Sequence, residues 1–293
     1  MTDDRVVAAQ RAADDRRALL IVNADDYGLT DKVSRAILDA HHEGIVTSTS
    51  VLALAPAFER TVAWLAEAPA LGTGAHLALV GEDPPICAAH EVPTLVDRRG
   101  RLWSSWRVFL SRAAAGRIDP DDLRRELGAQ FDTITGAGVT VDHLDTHQNL
   151  HLWPMVADVV LELGERHDVK VVRVTRSAER GPVGVTVSRL ARRLEARLDD
   201  RGWRYAEAST GLDEAGHLDL PAMVAALSRL AATGAGTAEL ATHPGAPFDP
   251  ERARYRWNYQ WDDEYAALRS GTVRAAVDEL GFRLGTFADL GAA

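Results

Sequence analysis

The chain has 293 residues, 46% of them hydrophobic and 26% charged, a balance that folds as a globular domain without disulfide or metal staples. A formal charge of −10 lacks the basic footprint of a nucleic-acid binder, and no apolar run is long enough to span a membrane. The single cysteine, Cys87, excludes an internal disulfide framework and a cysteine-based zinc site, and fits a cytoplasmic setting.

Residues 1–17 carry four Asp and four Arg around no apolar core. They match neither a signal nor a transit peptide and are expected to form a disordered extension. Ala18 to Asn23 is an apolar run ending in polar residues, hence a buried strand. Thr30-Asp31 caps a helix that runs to about His42. Thr47 to Leu54 is a β-branched strand, and Pro56 opens a helix to Ala68. Leu71 to Leu79 reads as a strand, and Asp119-Pro120 opens a helix ending near Gly136. Val139 to Asp145 is a strand, Pro154 to His167 a helix and Val169 to Thr175 a strand. Amphipathic helices follow at Val187 to Asp200 and Leu220 to Ala232. Thr237 to Thr242 is the last clear strand, before helices at Asp262 to Ser270 and Val273 to Leu280.

About seven strand–helix units with no linker between them predict one α/β domain over residues 18–293. The expected architecture is a single (β/α) barrel, seven-stranded and distorted from the TIM type. Residues 80–118, with Trp103 and Trp106, are too long for a simple connection and read as an inserted lid or binding loop. Asp249 to Trp261, rich in Arg, Tyr and Trp and including Trp257, is a second such stretch.

Chemistry-bearing residues fall at strand ends, which converge on one face of an α/β barrel. Asp25 and Asp26 stand at the end of the first strand, where both carboxylates can reach one pocket. The alternative, a helix cap, is better filled by Thr30 or Asp31. His76 sits among glycines in an apolar strand, as a core histidine or a ligand. His143, Asp145 and His147 share one strand face by their period of two. His151, at the start of the next helix, reads as a surface or capping residue, the alternative being that it lines the same pocket. His243, fixed by Pro244 and Gly245, is a general-acid candidate or a turn histidine. Arg173, a charge within an apolar strand, needs a carboxylate partner and either orients Asp25 or pairs with a structural acid. One carboxylate and two imidazoles from different strands would hold a divalent metal with open positions, and a second carboxylate would serve as base. That constellation points to metal-assisted hydrolysis.

In order along the chain, Asn23-Ala-Asp-Asp-Tyr-Gly, Gly74-Ala-His-Leu, His143-Leu-Asp-Thr-His, Thr242-His-Pro-Gly and Gly281-Phe-Arg-Leu-Gly resemble the motifs of the YdjC/ChbG carbohydrate deacetylases. The resemblance implies a seven-stranded barrel related to polysaccharide deacetylases. It implies a divalent metal on Asp26, His76 and His147, with Asp25 as base and His243 assisting the leaving amine. The implied substrate is an N-acetylated amino sugar or short oligosaccharide such as diacetylchitobiose, which loses acetate. Many relatives carry a further histidine where this chain has Asn149. The ligand chemistry favours zinc or another transition metal over magnesium. The partners expected are a small carbohydrate and a second copy in a homodimer, with neither nucleic acid nor membrane. Two rivals are a different metal-dependent barrel hydrolase, acting on a phosphoester or another amide, and a non-catalytic sugar binder.

Overall fold

The computed structural model describes residues 17–291, so the extension expected over 1–17 lies, apart from Arg17, outside the described residues. The elements in chain order are β1 (Ala18–Tyr27), α1 (Asp31–Glu43), β2 (Ser48–Val51), α2 (Phe58–Thr61) and β3 (Gly72–Leu77). Next come α3 (Trp106–Ala114), α4 (Pro120–Gly136), β4 (His143–Thr146), α5 (Pro154–His167) and α6 (Pro182–Asp199). The chain closes with β5 (Ala208–Thr210), α7 (Leu220–Ala232), β6 (Thr237–Thr242), α8 (Trp261–Leu268), α9 (Gly271–Glu279) and β7 (Phe282–Gly285).

The seven strands form one parallel sheet in the order β4-β3-β2-β1-β6-β5, with β7 also on β1. Because β6 occupies one edge of β1 along Leu19–Ala24, β7 and β2 share the other edge, β7 at Ala18–Ile21 and β2 from Asn23 onward. The sheet curls, with helices outside, into a distorted TIM-like barrel. The strand expected over Val169–Thr175 is only a pair of bridges, Leu144 to Val172 and Val171 to Arg204. Beyond Arg173 a side chain replaces the ladder: Ser209 Oγ accepts from the Arg176 N–H and donates to the Val174 carbonyl, both at 3.0 Å. The sequence predicts neither β5 nor β7, and α3 lies inside the stretch expected to be an inserted loop.

Strand alternation explains the barrel interior. Leu20, Val22 and Ala24 face outward into the main apolar core under the helices. Leu19 and Ile21 face inward and pack with Val171, Phe287 and Leu290 as a separate apolar plug at the barrel's lower end. Above the plug the same inward rows turn polar, with Asn23 and Asp25 on β1, Ser50 on β2, His76 on β3, His143 and Asp145 on β4, and Glu239 on β6.

The insertion is tied down by buried carboxylates of α4. Glu126 accepts the Ile86 and Cys87 N–H groups at 2.9 and 3.0 Å. Asp122 accepts the Thr94 N–H at 2.8 Å and its hydroxyl at 2.6 Å. Trp103 stays within the insertion, its Nε1 donating to the Thr94 carbonyl at 3.0 Å. Among the described residues no helix is long and apolar enough to cross a membrane.

Candidate metal centre and active site

Asp25 follows the inward row of β1, so a regular strand would turn Asp26 outward. A bulge prevents this. Three steps on β1, Ala24 to Tyr27, match two on β2, Thr49 to Val51, and Asp26 takes a left-handed φ of 69°. Both carboxylates thereby reach the upper end of the barrel, as the sequence predicts. The helix cap falls instead to Thr30, whose hydroxyl accepts the Val33 N–H at 3.0 Å.

The structure brings Asp26, His76 and His147 together. Asp26 Oδ1 lies 3.5 Å from His76 Nε2 and 3.3 Å from His147 Nδ1, and the two nitrogens are 3.3 Å apart. All three residues are buried, and Asp26 Oδ1 has no hydrogen-bond partner among the described residues. A buried carboxylate oxygen that makes no hydrogen bond and converges with two ring nitrogens is a donor set that could hold a cation. Burial pushes the Asp26 carboxyl up, but His147, His76 and His243 outweigh it and hold it at about 2. Burial pulls the His76 imidazole down, but Asp145, Asp25 and Asp26 lift it to about 9.

A polar layer supports these groups. His76 and Asp145 are register partners on β3 and β4, and His76 Nδ1 bonds Asp145 Oδ1 at 2.9 Å. A carboxylate acts as acceptor here, which leaves His76 Nε2 turned toward Asp26. Arg173 joins three acids: Nε donates to Glu239 Oε1 at 2.6 Å, and Nη1 donates to Asp25 Oδ1 at 2.6 Å and to Asp145 Oδ2. Both partners proposed for it from sequence, Asp25 and a structural acid, are present at once. Burial raises the Asp145 carboxyl, yet His76 and Arg173 hold it well below the usual carboxylate range. His143 lies beneath, with Nε2 3.2 Å from Ser50 Oγ and Nδ1 2.5 Å from Asp142 Oδ1.

Asp25 Oδ1 is engaged by Arg173 and by Asn23 Nδ2 at 2.6 Å. Its Oδ2 faces His243 Nε2 at 3.7 Å. His243 Nδ1 is buried without a partner among the described residues, and its backbone N–H is fixed by Glu264 Oε2 at 2.6 Å. His151 is not the surface or capping residue expected. It is fully buried, with Nδ1 2.9 Å from Thr146 Oγ1 and Nε2 2.9 Å from the Arg173 carbonyl. It therefore braces the chain that carries Arg173.

Asp25, His76, His147, Arg173 and His243 open on a cavity of about 530 Å³. Trp106, Trp257 and Tyr259 also line it. Trp257 stands 5.1 Å from the His147 ring, and Tyr259 packs edge-on to His243 at 4.9 Å. Sequence reading missed Ser50, Glu239 and Glu264. Glu239 carried a usable signal, since a lone acid within Thr237-Ala-Glu-Leu-Ala-Thr is the complement of the lone Arg173. Glu264 carried none, because it sits among the acids that open α8.

The strand ends of this parallel-stranded barrel converge on two carboxylates and three imidazoles, a set of groups that could hold a cation. The chain belongs to the YdjC-like protein family, whose model matches residues 19–279. It is 36% identical over 152 residues to the carbohydrate deacetylase of Brevibacillus brevis, a match covering 52% of this chain and 58% of that protein. The matches to two further carbohydrate deacetylases, from Listeria innocua and Listeria monocytogenes, each span 64% of the relative's length, so the chain spans under two thirds of these proteins. The chitooligosaccharide deacetylase of Proteus mirabilis is 29% identical over 276 residues, 93% of this chain and 98% of that one. A putative cellobiose-phosphate cleavage protein of Enterococcus faecalis superposes with a TM-score of 0.78 at 25% identity, covering 92% and 98% of the two chains.

Proposed function

We propose that the protein is a metal-dependent carbohydrate N-deacetylase that hydrolyses the acetamide of an N-acetylglucosamine-type sugar to acetate and a free amine. The observation that carries this reading is Asp26 Oδ1, buried without a hydrogen-bond partner among the described residues and facing two imidazole nitrogens, with Asp25 beside it at the edge of an aromatic-lined cavity. The names of the relatives from Brevibacillus brevis and Proteus mirabilis support the substrate class.

Asp26, His76 and His147 would hold the ion, and one carboxylate with two imidazoles suits zinc better than magnesium. When bound, a divalent ion polarises the acetamide carbonyl and acidifies the attacking water. Asp25 takes the water proton on Oδ2, while Arg173 and Asn23 fix its Oδ1. His243 hands a proton from Nε2 to the departing nitrogen. Asp145 keeps His76 oriented through Nδ1. Trp257 and Tyr259 present faces for the sugar ring.

The test is acetate release from diacetylchitobiose by metal-stripped protein to which zinc, magnesium, manganese, cobalt or nickel is returned. The expected result is release only with added metal, fastest with a transition metal. Release of phosphate from a phosphoester, with no acetate under any metal, would replace this reading with a different hydrolase.

A further inference from the structure

We propose that the sugar to be deacetylated carries an apolar aglycone, and that this alkyl or aryl group lies in a groove opening off the catalytic cavity. The proposal rests on the deacetylase reading and extends it to the group beyond the sugar.

The groove has a volume of about 490 Å³ and shares Trp106, Gln148, Asn149 and Leu212 with the catalytic cavity, so the two spaces adjoin. Elsewhere it is lined chiefly by Leu110, Leu150, Leu152, Val183, Val187 and Leu190. Leu150 and Leu152 come from the turn after His147, while the two valines and Leu190 belong to α6. Val183 stays 48% exposed although apolar. Leaving such a surface open beside a binding cavity costs hydration free energy that an apolar ligand recovers.

Several polar acceptors at the rim are engaged with the protein. Gln148 Oε1 accepts the Trp106 N–H at 2.9 Å, and Asn149 Oδ1 accepts the Thr175 hydroxyl at 2.6 Å. Asp213 accepts the Ser177 hydroxyl at 2.6 Å and the Ala178 N–H at 2.7 Å. A second or third sugar in this space would press hydroxyls against aliphatic side chains with few partners, which weakens binding. An alkyl or aryl group needs no partners and gains with each methylene covered.

The junction is also built. Gln148 and Asn149 are consecutive non-glycine residues in the left-handed region, at φ 55° and 54°. Backbone of that kind persists where the surroundings over-determine it. Here it places two side chains that line both spaces directly after His147.

The experiment compares methyl, hexyl and octyl N-acetyl-β-glucosaminides, diacetylchitobiose and tetraacetylchitotetraose. Acetate release by zinc-loaded protein and calorimetric binding are both measured below the micelle concentration, for wild type, Val183→Asp and Val187→Asp. We expect kcat/KM and affinity to rise at least about ten-fold from methyl to octyl. Each substitution should remove that gain and leave methyl-glycoside turnover unchanged. Val183 is surface-exposed, so its substitution does not endanger folding. Equal turnover of methyl and octyl glycosides would overturn the aglycone and leave the deacetylase standing. So would a preference for the tetrasaccharide, or a substitution that changes oligomeric state while the chain-length dependence persists. No acetate from any substrate, with octyl still bound ten-fold tighter by wild type alone, would overturn the deacetylase and support the groove. Neither acetate nor a chain-length preference in binding would overturn both.

Discussion

Arg173 is the residue on which the site's electrostatics turn. One guanidinium, 2% exposed, satisfies Asp25, Asp145 and Glu239 together. Removing one partner of a buried ionic cluster leaves the others uncompensated and costs roughly 3–5 kcal/mol. Arg173→Met should therefore lose about that much unfolding free energy in urea titration, and a loss below about 1 kcal/mol would contradict the cluster's role. At this scale the sequence is informative where a residue breaks the local pattern. A charge inside Val171-Val172-Arg173-Val174 demands a partner, and period two groups His143, Asp145 and His147. What it conceals is conformation: Asp26 comes inward through one left-handed residue, and nothing in Asp25-Asp26 specifies which of the pair bears the bulge. His151 misleads for a related reason. Its place before α5 looks like a surface, but the turn from His147 to Leu152 carries it under Arg173.

Elements are legible in proportion to their own signals. Pro154–His167, Leu220–Ala232 and Thr237–Thr242 have the bounds the sequence predicts, because proline entry, apolar period and flanking breakers coincide. Ala208–Thr210 has only three residues, and Phe282–Gly285 is mostly half-exposed, so neither offers a pattern. The Val169–Thr175 run has the composition of a strand, yet tertiary bonds override it, with Ser209 taking the ladder's place. Pairing of β3 with β4 sets a further constraint. Gly74 is the register partner of His143, and a Cβ there would stand 2.2 Å from His143 Nε2. The glycine exists to let that ring lie across the strand. Gly74→Ala should cost about 1–3 kcal/mol in chemical denaturation, as overpacking does in cores. Adding His143→Ala should recover part of the loss; purely additive losses would show that the two positions do not meet.

The whole molecule divides into a wholly apolar lower plug, an ionic middle and an open upper cavity, and that layering makes stability depend on pH. His151 is buried and neutral: burial pulls its imidazole down to about 4 from an ordinary 6.5, with Asp145 opposing. As pH falls from 6.5 toward 4, the unfolded chain takes up a proton at this residue that the native state refuses. Unfolding free energy then drops by up to about 1.4 kcal/mol per pH unit from this residue alone. Urea titrations at pH 7, 6 and 5 should show a shallower decline for His151→Gln than for wild type, and parallel declines would contradict the assignment. The barrel architecture follows from the alternation of elements, whereas closure of the barrel does not. It depends on isolated bridges and on Phe287 and Leu290 packing below the site.

We propose Asp25 as the base beside an ion held by Asp26, His76 and His147. The direct measurement is metal content and acetate release from diacetylchitobiose for wild type and Asp25→Asn, side by side after zinc loading. Both proteins should bind one ion, with turnover in the variant about 10²- to 10⁴-fold slower, the usual contribution of a general base. Undiminished acetate release by a metal-loaded Asp25→Asn protein would contradict this assignment.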